Sequence, residues 1–428
     1  MAKRFSHEVK MRVEYMLAER TARYEKGSRS TMMMRLASVT VGLGIAVMIL
    51  TLSVVAGFRQ QINGALRGMM ADMTVCDVSG LMRQESEAVA PSPEFVAEVG
   101  AIRGVSSIAP QVTLNGMAKS GDNVAGLQIK GIDQHYDTEW WQSVLLEGAL
   151  PDFAAEHRGK ELLLSEATAR KLDVAVGDKV EMLFAIGDER PRRDRFKVSG
   201  IFRTGLEEMD LRMAVGDVRD VRRIAGWADD EVSGYDVMLA EGADAEEVSE
   251  EIFQIIDRRY DAGDESVGSL VVSNIKERFP VVFDWLKAHS INARVIIVII
   301  MIVVLFNMAA AMLIMVLDRT AMIGSLKALG MRNGAIRRMF LYRAARLFVA
   351  GALWGNVVAL ALVGVQAVWH PVELNPSGYM LAELPVRVEW WSVLLLNVGA
   401  MAVTVLTMLL PSAMIARISP SESLKYKL

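Results

Sequence analysis

Cysteine is almost missing from this sequence, since Cys76 is the only one in 428 residues. An intrachain disulfide is therefore excluded, and every domain of the chain must be held together by its apolar core. The five histidines are scattered, and none is paired at the spacing of a metal site. Gly159 and Lys160 lack the earlier glycine and the following serine or threonine of a phosphate-binding loop. We therefore expect no catalytic residues, no bound metal or other cofactor, and no ATP hydrolysis by this chain itself.

Charge is missing from four long stretches of the sequence, residues 36–58, 295–317, 347–369 and 390–416. About 20 apolar residues in a helix cross the roughly 30 Å hydrocarbon core of a membrane. Each stretch is long enough, so each predicts a transmembrane helix. Ion and proton pathways normally use ionisable side chains inside the membrane, and these stretches contain none. An ion-coupled transporter is therefore disfavoured, and an apolar or amphiphilic substrate taken from the bilayer fits better.

Basic and acidic residues are concentrated in different segments of the chain. Residues 59–294 hold 27 basic and 42 acidic residues, a net charge of −15, so the rest of the chain carries +11. Lysine and arginine number nine in residues 1–35 and seven in residues 318–346, against one in residues 370–389. Cytoplasmic flanks of membrane helices carry an excess of basic residues. The 1–35 segment, the 318–346 segment and the 417–428 tail are therefore predicted to be cytoplasmic, with the other two segments on the opposite side.

The 59–294 segment has the pattern of a mixed α/β domain. Stretches rich in β-branched and aromatic residues predict strands at 73–78, 107–113, 124–132, 179–184, 196–202 and 235–239. Residues 245–260 instead place apolar side chains at the spacing of a surface helix. The predicted fold class is a membrane protein with four transmembrane α-helices and a large mixed α/β extracytoplasmic domain between helices 1 and 2. Residues 1–35 are either an amphipathic interfacial helix or a solvated basic tail.

Several motifs resemble one family of membrane proteins. Residues 52–59 (LSVVAGFR) contain a Ser-Val-x-x-Gly-Phe pattern at the end of the first predicted helix, and Phe306-Asn307 lies in the second. Residues 318–330 (DRTAMIGSLKALG) and 416–424 (ARISPSESL) complete the set. In order, spacing and topology, the chain resembles the LolC/LolE lipoprotein-releasing permeases, which belong to the wider group of MacB-type ABC permeases.

This resemblance implies a function and a set of partners. Such a permease extracts lipoproteins from the bacterial inner membrane and passes them to a periplasmic carrier, while a separate ATPase subunit binds ATP and magnesium. A second permease subunit, identical or related, completes a cavity open to the outer leaflet. The cavity wall is predicted to include Met48, Leu52, Val55, Val298, Met301 and Leu305. The ATPase-coupling segment is predicted to consist of Thr320, Ala321, Met322, Ile323, Gly324, Ser325, Leu326, Lys327, Ala328 and Leu329.

Two positions depart from the family pattern. Many relatives carry an acidic residue at the position of Met322, so an ionic contact with the ATPase is not expected there. LolC-like members have a long external hairpin that binds the carrier, whereas the corresponding connection here, residues 185–194, is short and basic. Its three arginines, Arg190, Arg192 and Arg193, are candidate carrier contacts or belong to a solvated turn.

Two other functions remain open at this point. A MacB-like mechanotransmission permease, which drives export of a periplasmic peptide or drug, shares the topology and the coupling segment. A regulator of a periplasmic hydrolase would use the extracytoplasmic domain as a binding module. The Ser-Val-x-x-Gly-Phe and Phe-Asn patterns favour the lipoprotein-releasing group over both alternatives.

Overall fold

The structure, a computed structural model, describes residues 29–79, 87–136, 138–155, 159–186, 191–375, 379–413 and 415. The predicted interfacial segment, up to residue 28, and the tail from residue 416 lie outside the described residues. The chain divides into two compact units. The first, called the membrane unit, comprises the described residues of Met1–Phe58, Leu286–Val372 and Pro385–Leu428. The second, called the α/β domain, comprises those of Arg59–Trp285 and Glu373–Leu384.

Four of the described helices are long and apolar enough to cross a membrane, and they coincide with the four uncharged stretches. These four are α1, α9, α11 and α12 in the chain order that follows. The helices are α1 (Arg29–Met70), α2 (Pro93–Gly100), α3 (Thr138–Val144), α4 (Glu166–Leu172), α5 (Glu207–Asp210), α6 (Val218–Ala225), α7 (Ala245–Asp261), α8 (Ile275–Arg278), α9 (Pro280–Asp318), α10 (Thr320–Ala328), α11 (Asn333–Trp369) and α12 (Trp390–Ser412).

Helices α1 and α9 continue beyond the uncharged stretches that predicted them. In α1 the extension keeps an apolar stripe at helical spacing, because Ile62, Ala65, Leu66 and Met69 are all buried. In the same way α9 begins at Pro280, well before its uncharged stretch. An apolar run marks only the part of a helix that needs a hydrocarbon environment. The helix itself continues wherever one of its faces packs against a hydrophobic core.

Small residues bring α1 and α11 into main-chain contact. A Cβ atom on Gly355 would lie 2.3 Å from the carbonyl oxygen of Gly42, and one on Gly351 would lie 2.4 Å from the carbonyl oxygen of Ser38. No side chain fits at such distances. The two helices therefore approach each other more closely than any larger residue at these positions would allow.

A reciprocal amide pair joins α11 to α12. Asn356 Nδ2 donates to Asn397 Oδ1 at 2.8 Å, and Asn397 Nδ2 donates to Asn356 Oδ1 at 3.1 Å. Each amide also donates to a carbonyl one turn earlier, that of Ala352 or Val393. An amide without a partner would be costly in an apolar environment. The pairing therefore explains how two strongly polar side chains occur in otherwise apolar helices.

The α/β domain contains ten described strands in one connected sheet. The strands are β1 (Met73–Asp77), β2 (Val105–Ser120), β3 (Asn123–Ile132), β4 (Leu145–Gly148), β5 (Glu161–Ser165), β6 (Lys179–Phe184), β7 (Arg192–Phe202), β8 (Met213–Asp217), β9 (Gly234–Leu239) and β10 (Leu270–Asn274). Their order is β10-β1-β9-β2-β3-β8-β5-β7-β4, and β6 pairs with β2 and β7. All six predicted strands and the helix predicted at 245–260 are confirmed, with bounds shifted by several residues at some ends. Strands β4, β5, β8 and β10 were not predicted.

Six of these strands form a closed circuit. β2 pairs with β3, β3 with β8, β8 with β5, β5 with β7, β7 with β6, and β6 again with β2. The buried side chains of the circuit include Leu127, Ile129, Leu162, Leu164, Val180, Met182, Phe184, Phe196 and Val198. A closed circuit leaves few unpaired strand edges. The long strand β2 belongs both to this circuit and, through β9, to the β10-β1-β9 part of the sheet.

Replacing Gly355 by alanine is expected to destabilise the membrane unit, because the new methyl group would overlap the Gly42 carbonyl. Forcing an extra methyl group into a packed interface costs about 1–3 kcal/mol. Gly364, in the same helix, is the matched control, since a Cβ atom there meets nothing within 4 Å. Thermal unfolding of the detergent-purified protein should show a lower midpoint for Gly355→Ala and an unchanged or higher one for Gly364→Ala. Equal midpoints would contradict close contact between α1 and α11.

Candidate functional site

The predicted ATPase-coupling segment forms helix α10 and the turn after it. Ile323 and Gly324 are buried, and Ile323 packs in the core of the membrane unit. Gly330 ends the helix with a φ of 86°, a conformation that glycine adopts without strain. The remaining surface of the segment contains an exposed, uncharged strip made of Ala321, Ser325, Ala328 and Leu329.

Two contacts fix the orientation of this strip. Lys327 Nζ donates to the carbonyl of Ile415 at 2.6 Å, which ties the C-terminal half of α10 to the chain after α12. Met322 is half-buried against the helix core, so it contributes little to the exposed strip. Leu329, by contrast, is 83% exposed. An apolar side chain held this far into solvent suits contact with another protein.

The predicted cavity residues differ in their accessibility. Met48 is fully buried in the core of the membrane unit, so its side chain does not reach a surface of this chain. Val298 is 56% exposed. The other four are half-buried, and they are Leu52, Val55, Met301 and Leu305. Of the six, Val298 is thus the one that lies openly on a helix surface.

Val298 belongs to an exposed apolar face of α9. The exposed members of this face are Val295, Ile296, Val298, Ile299, Ile302, Val303 and Phe306. Phe306 is the aromatic residue of the Phe-Asn motif. A face of purely aliphatic and aromatic side chains on a membrane helix suits contact with acyl chains or with another apolar helix.

The Ser-Val-x-x-Gly-Phe motif holds the segment before α12 against α1. The main-chain N–H of Arg387 donates to the carbonyl of Ser53 at 2.9 Å. A Cβ atom on Gly57 would lie 2.5 Å from the carbonyl oxygen of Pro385, so glycine leaves the room that the passing main chain needs. The hydroxyl of Ser53 is buried and makes no hydrogen bond within the described residues. The motif therefore has a packing role inside one chain.

The two described carrier-contact candidates face opposite sides of β7. Arg192 is half-buried, and its Nη1 donates to the carbonyl of Ile224 at 2.7 Å, in the last turn of α6. A cation is favourable at this end of a helix, so Arg192 has a structural role. Arg193 is exposed on the other face. Arg190 lies outside the described residues.

Arg193 belongs to a sheet face that we call the basic face. Strand register aligns its outward side chains, which are Met117, Lys119, Lys179, Glu181, Leu183, Arg193, Arg195 and Lys197. Five of these are basic and one is acidic, although residues 59–294 as a whole carry a net charge of −15. The basic face is therefore a local positive surface on an acidic domain, and it suits an acidic partner.

A cleft of about 1170 Å³ lies within the α/β domain. Its polar lining includes Thr74, Gln111, Gln128 and Lys130, and four of its apolar lining residues are Met70, Met209, Met213 and Met380. The described part of the chain holds no group of three histidine, cysteine, aspartate or glutamate side chains that could bind a metal. The buried cation Lys130 was missed by sequence reasoning, although a lysine inside the apolar strand β3 was an available signal.

These features are those of a multi-pass membrane protein that also carries a large α/β domain. A family profile described as a MacB-like periplasmic core domain matches residues 36–255, and one described as an FtsX-like permease C-terminal region matches residues 294–420. The first alone covers more than half of the chain. The chain therefore belongs to the MacB-type family of ABC transporter permeases.

Individual relatives span nearly the whole chain. The lipoprotein-releasing system transmembrane protein LolC of Xylella fastidiosa is 25% identical over 405 residues, covering 90% of this chain and 92% of that protein. LolC of Neisseria meningitidis is 24% identical over 409 residues, with the same coverage of both chains. LolE of Haemophilus influenzae is 20% identical over 425 residues, covering 94% and 97%. The resemblance to the LolC/LolE group is confirmed.

Two solved structures resemble part of the chain. The periplasmic region of MacB from Actinobacillus actinomycetemcomitans is 14% identical and covers 49% of this chain and 92% of that one, with a TM-score of 0.34. The extracellular domain of the noncanonic ABC-type transporter YknZ, from Gram-positive bacteria, is 13% identical and covers 47% and 99%, with a TM-score of 0.33.

Proposed function

We propose that this chain is the permease subunit of an ABC transporter that extracts lipoproteins from the inner membrane and passes them to a periplasmic carrier. The observation that carries the proposal is the similarity to LolC and LolE over at least 90% of the chain. The charge distribution supports the accompanying orientation, with both termini and α10 in the cytoplasm and the α/β domain in the periplasm.

Removing a lipid anchor from the bilayer is the energetic problem that such a transporter must solve. Each buried methylene contributes about 0.8 kcal/mol, so an anchor with several acyl chains is held by tens of kcal/mol. Spontaneous exit is therefore too slow to be useful. In the proposed complex, ATP and magnesium are bound by a separate ATPase subunit, and this chain converts the resulting movement into extraction.

The proposed cavity lies between the first and second membrane helices of two permease subunits. We assign to its wall Leu52 and Val55 of α1 and Val298, Met301 and Leu305 of α9. Met48 is left out of the assignment because its side chain is enclosed by the core of its own subunit. The exposed apolar face of α9 supports the assignment, since lipid tails need an apolar surface. The second subunit is another copy of this chain or a related permease.

Contact with the ATPase is assigned to the exposed strip of α10. The strip is uncharged and ends in the exposed Leu329, while Ile323 anchors the helix in the core. A force on Leu329 therefore acts on a helix that is packed into the core of the membrane unit through Ile323. Contact with the carrier is assigned to the basic face around Arg193, and its charge implies an acidic carrier surface.

Val298→Trp is expected to reduce lipoprotein release roughly fivefold, equivalent to about 1 kcal/mol, because the indole occupies space that acyl chains need. Val357→Trp in α11 is the matched control, since Val357 is 62% exposed and Val298 is 56% exposed. The assay uses proteoliposomes with the permease, its ATPase, a lipoprotein, ATP and soluble carrier. Equal release by both variants would exclude Val298 from the cavity. Absence of release by the unchanged protein would overturn the proposed function.

Leu329→Asp is expected to weaken binding of the ATPase by about tenfold or more, since burying an unpaired carboxylate in the contact costs at least 1.4 kcal/mol. Asn333→Asp places the same new charge at another exposed position shortly after α10, and it serves as the control. Co-purification of the ATPase with each tagged variant measures the effect. Undiminished recovery with Leu329→Asp would remove this residue from the contact.

Arg193→Glu is expected to weaken capture of the carrier by roughly fivefold at low salt, and by less at high salt, because it reverses a charge on the basic face. Arg103→Glu reverses an exposed charge elsewhere in the same domain and is the control. Arg192→Ala should instead lower the thermal unfolding midpoint, because the α6 carbonyl loses its donor. If Arg103→Glu weakens carrier capture as much as Arg193→Glu does, the basic face has no specific role.

A further inference from the structure

The strands that continue the two long membrane helices are paired with each other. β1 follows α1 after two residues, and β10 runs directly into α8 and then α9. The strands are antiparallel, with Met73 opposite Asn274. The main-chain carbonyl of Asp72 also accepts the N–H of Ile275 at 2.9 Å. The end of α1 and the α8–α9 segment therefore meet in one hydrogen-bonded junction.

Lys130 reaches this junction from strand β3 of the six-stranded circuit. Its Nζ donates to the carbonyl of Met69, in the last turn of α1, at 2.7 Å. It also donates to the hydroxyl of Tyr136 at 2.8 Å and to Oδ2 of Asp236, on β9, at 2.5 Å. The last carbonyls of a helix lack partners within the helix and attract a cation. One ammonium group thus joins α1, β3 and β9.

Asp236 continues the network toward α9. Its Oδ1 accepts a hydrogen bond from Thr74 Oγ1 at 2.9 Å, and Thr74 Oγ1 accepts one from Arg278 Nη1 at 2.5 Å. The Tyr136 hydroxyl donates to Oδ2 of Asp236 at 3.0 Å. Arg278 is the last residue of α8, just before α9 begins. The chain of hydrogen bonds therefore runs from the end of the first membrane helix to the start of the second.

The network places two charged side chains in the interior of the α/β domain. Lys130 and Asp236 are each 1% exposed. Burial lowers the pKa of the Lys130 ammonium, and the Asp236 carboxylate offsets part of that effect. A buried ion pair is often no more stabilising than well-packed apolar side chains of the same volume. Charged hydrogen bonds are directional, and they fix the relative positions of the groups that they join.

We infer that Lys130 is a positioning residue that fixes the last turn of α1 and the α8–α9 junction against the six-stranded circuit, so that they move as one body. The inference rests on the proposed function, in which closure of the membrane helices has to reach the α/β domain. Without the network, only the strand pairing from β1 through β9 to β2 connects the junction to the circuit, and we expect part of each ATP-driven movement to be lost.

The decisive variant is the double replacement Lys130→Met/Asp236→Leu, which removes both charges and keeps apolar volume. If the pair only stabilises the fold, the double variant recovers wild-type behaviour. A positioning role predicts instead that it folds and hydrolyses ATP at the wild-type rate while lipoprotein delivered per ATP falls roughly fivefold. Wild-type delivery per ATP by the double variant would overturn the inference.

Thr74→Val covers the case in which the double variant does not fold. It is nearly isosteric, and it breaks only the connection between Asp236 and Arg278. Delivery per ATP is expected to fall roughly twofold, and the unfolding midpoint is expected to fall modestly, because Asp236 and Arg278 each lose a hydrogen-bond partner. Unchanged delivery per ATP with a folded Thr74→Val variant would also overturn the inference.

A distance measurement separates this inference from the proposed function. Spin labels at Gln60 of α1 and Asp122 of the β2–β3 turn, introduced in a Cys76→Ala background, are measured in the complete transporter with and without ATP. The wild type should give one narrow distance distribution in both states, and the Thr74→Val and double variants should give broader ones. Equally narrow distributions in all three would overturn the positioning role. Failure of the wild type to deliver lipoprotein, with the distance result intact, would overturn the proposed function alone.

Discussion

The continuity of two helices is the constraint on which the rest of the structure depends. The division between the membrane unit and the α/β domain falls inside α1, after Phe58, and inside α9, before Leu286. A helix bends only gently unless proline, an inserted water or a bulge interrupts its hydrogen bonding. The loop between α11 and α12 is also held, by a β-bridge from Leu381 to Leu206 within the α/β domain and by Arg387 on Ser53 within the membrane unit. Each of the two helices is thus a single element that both units share.

Much of the fold could be predicted because its signals are local in the sequence. Uncharged runs marked the four membrane helices, and β-branched runs marked strands such as β2, β3 and β7. Strands β5 and β8 were not predicted from the sequence. Each is five residues long and almost wholly buried, so neither shows the alternation of apolar and polar residues that marks a half-exposed strand. The extension of α1 was not predicted because the helix beyond Phe58 is polar on one side, and only its buried stripe shows that the helix continues.

The candidate site was predictable only where one segment carries it. Residues 320–329 are adjacent in the chain, so their motif located helix α10. Lys130 and Asp236 are 106 residues apart, and no pattern in one sequence pairs them. Arg192 and Arg193 look equivalent in sequence, yet strand alternation turns one toward the α6 carbonyl of Ile224 and the other to the surface. Met48 fits an apolar cavity by composition, but helix packing encloses it. In each case, residues of the same chemical type are distinguished only by their positions in the folded structure.

The central claim is that this chain moves lipoproteins out of the inner membrane. The most direct measurement is depletion of the protein in its native cell, followed by separation of the inner and outer membranes and a count of the lipoproteins in each. We predict that outer-membrane lipoproteins accumulate in the inner membrane as the protein is lost. An unchanged distribution between the two membranes would contradict the claim and would favour a MacB-like exporter or a regulator of a periplasmic hydrolase.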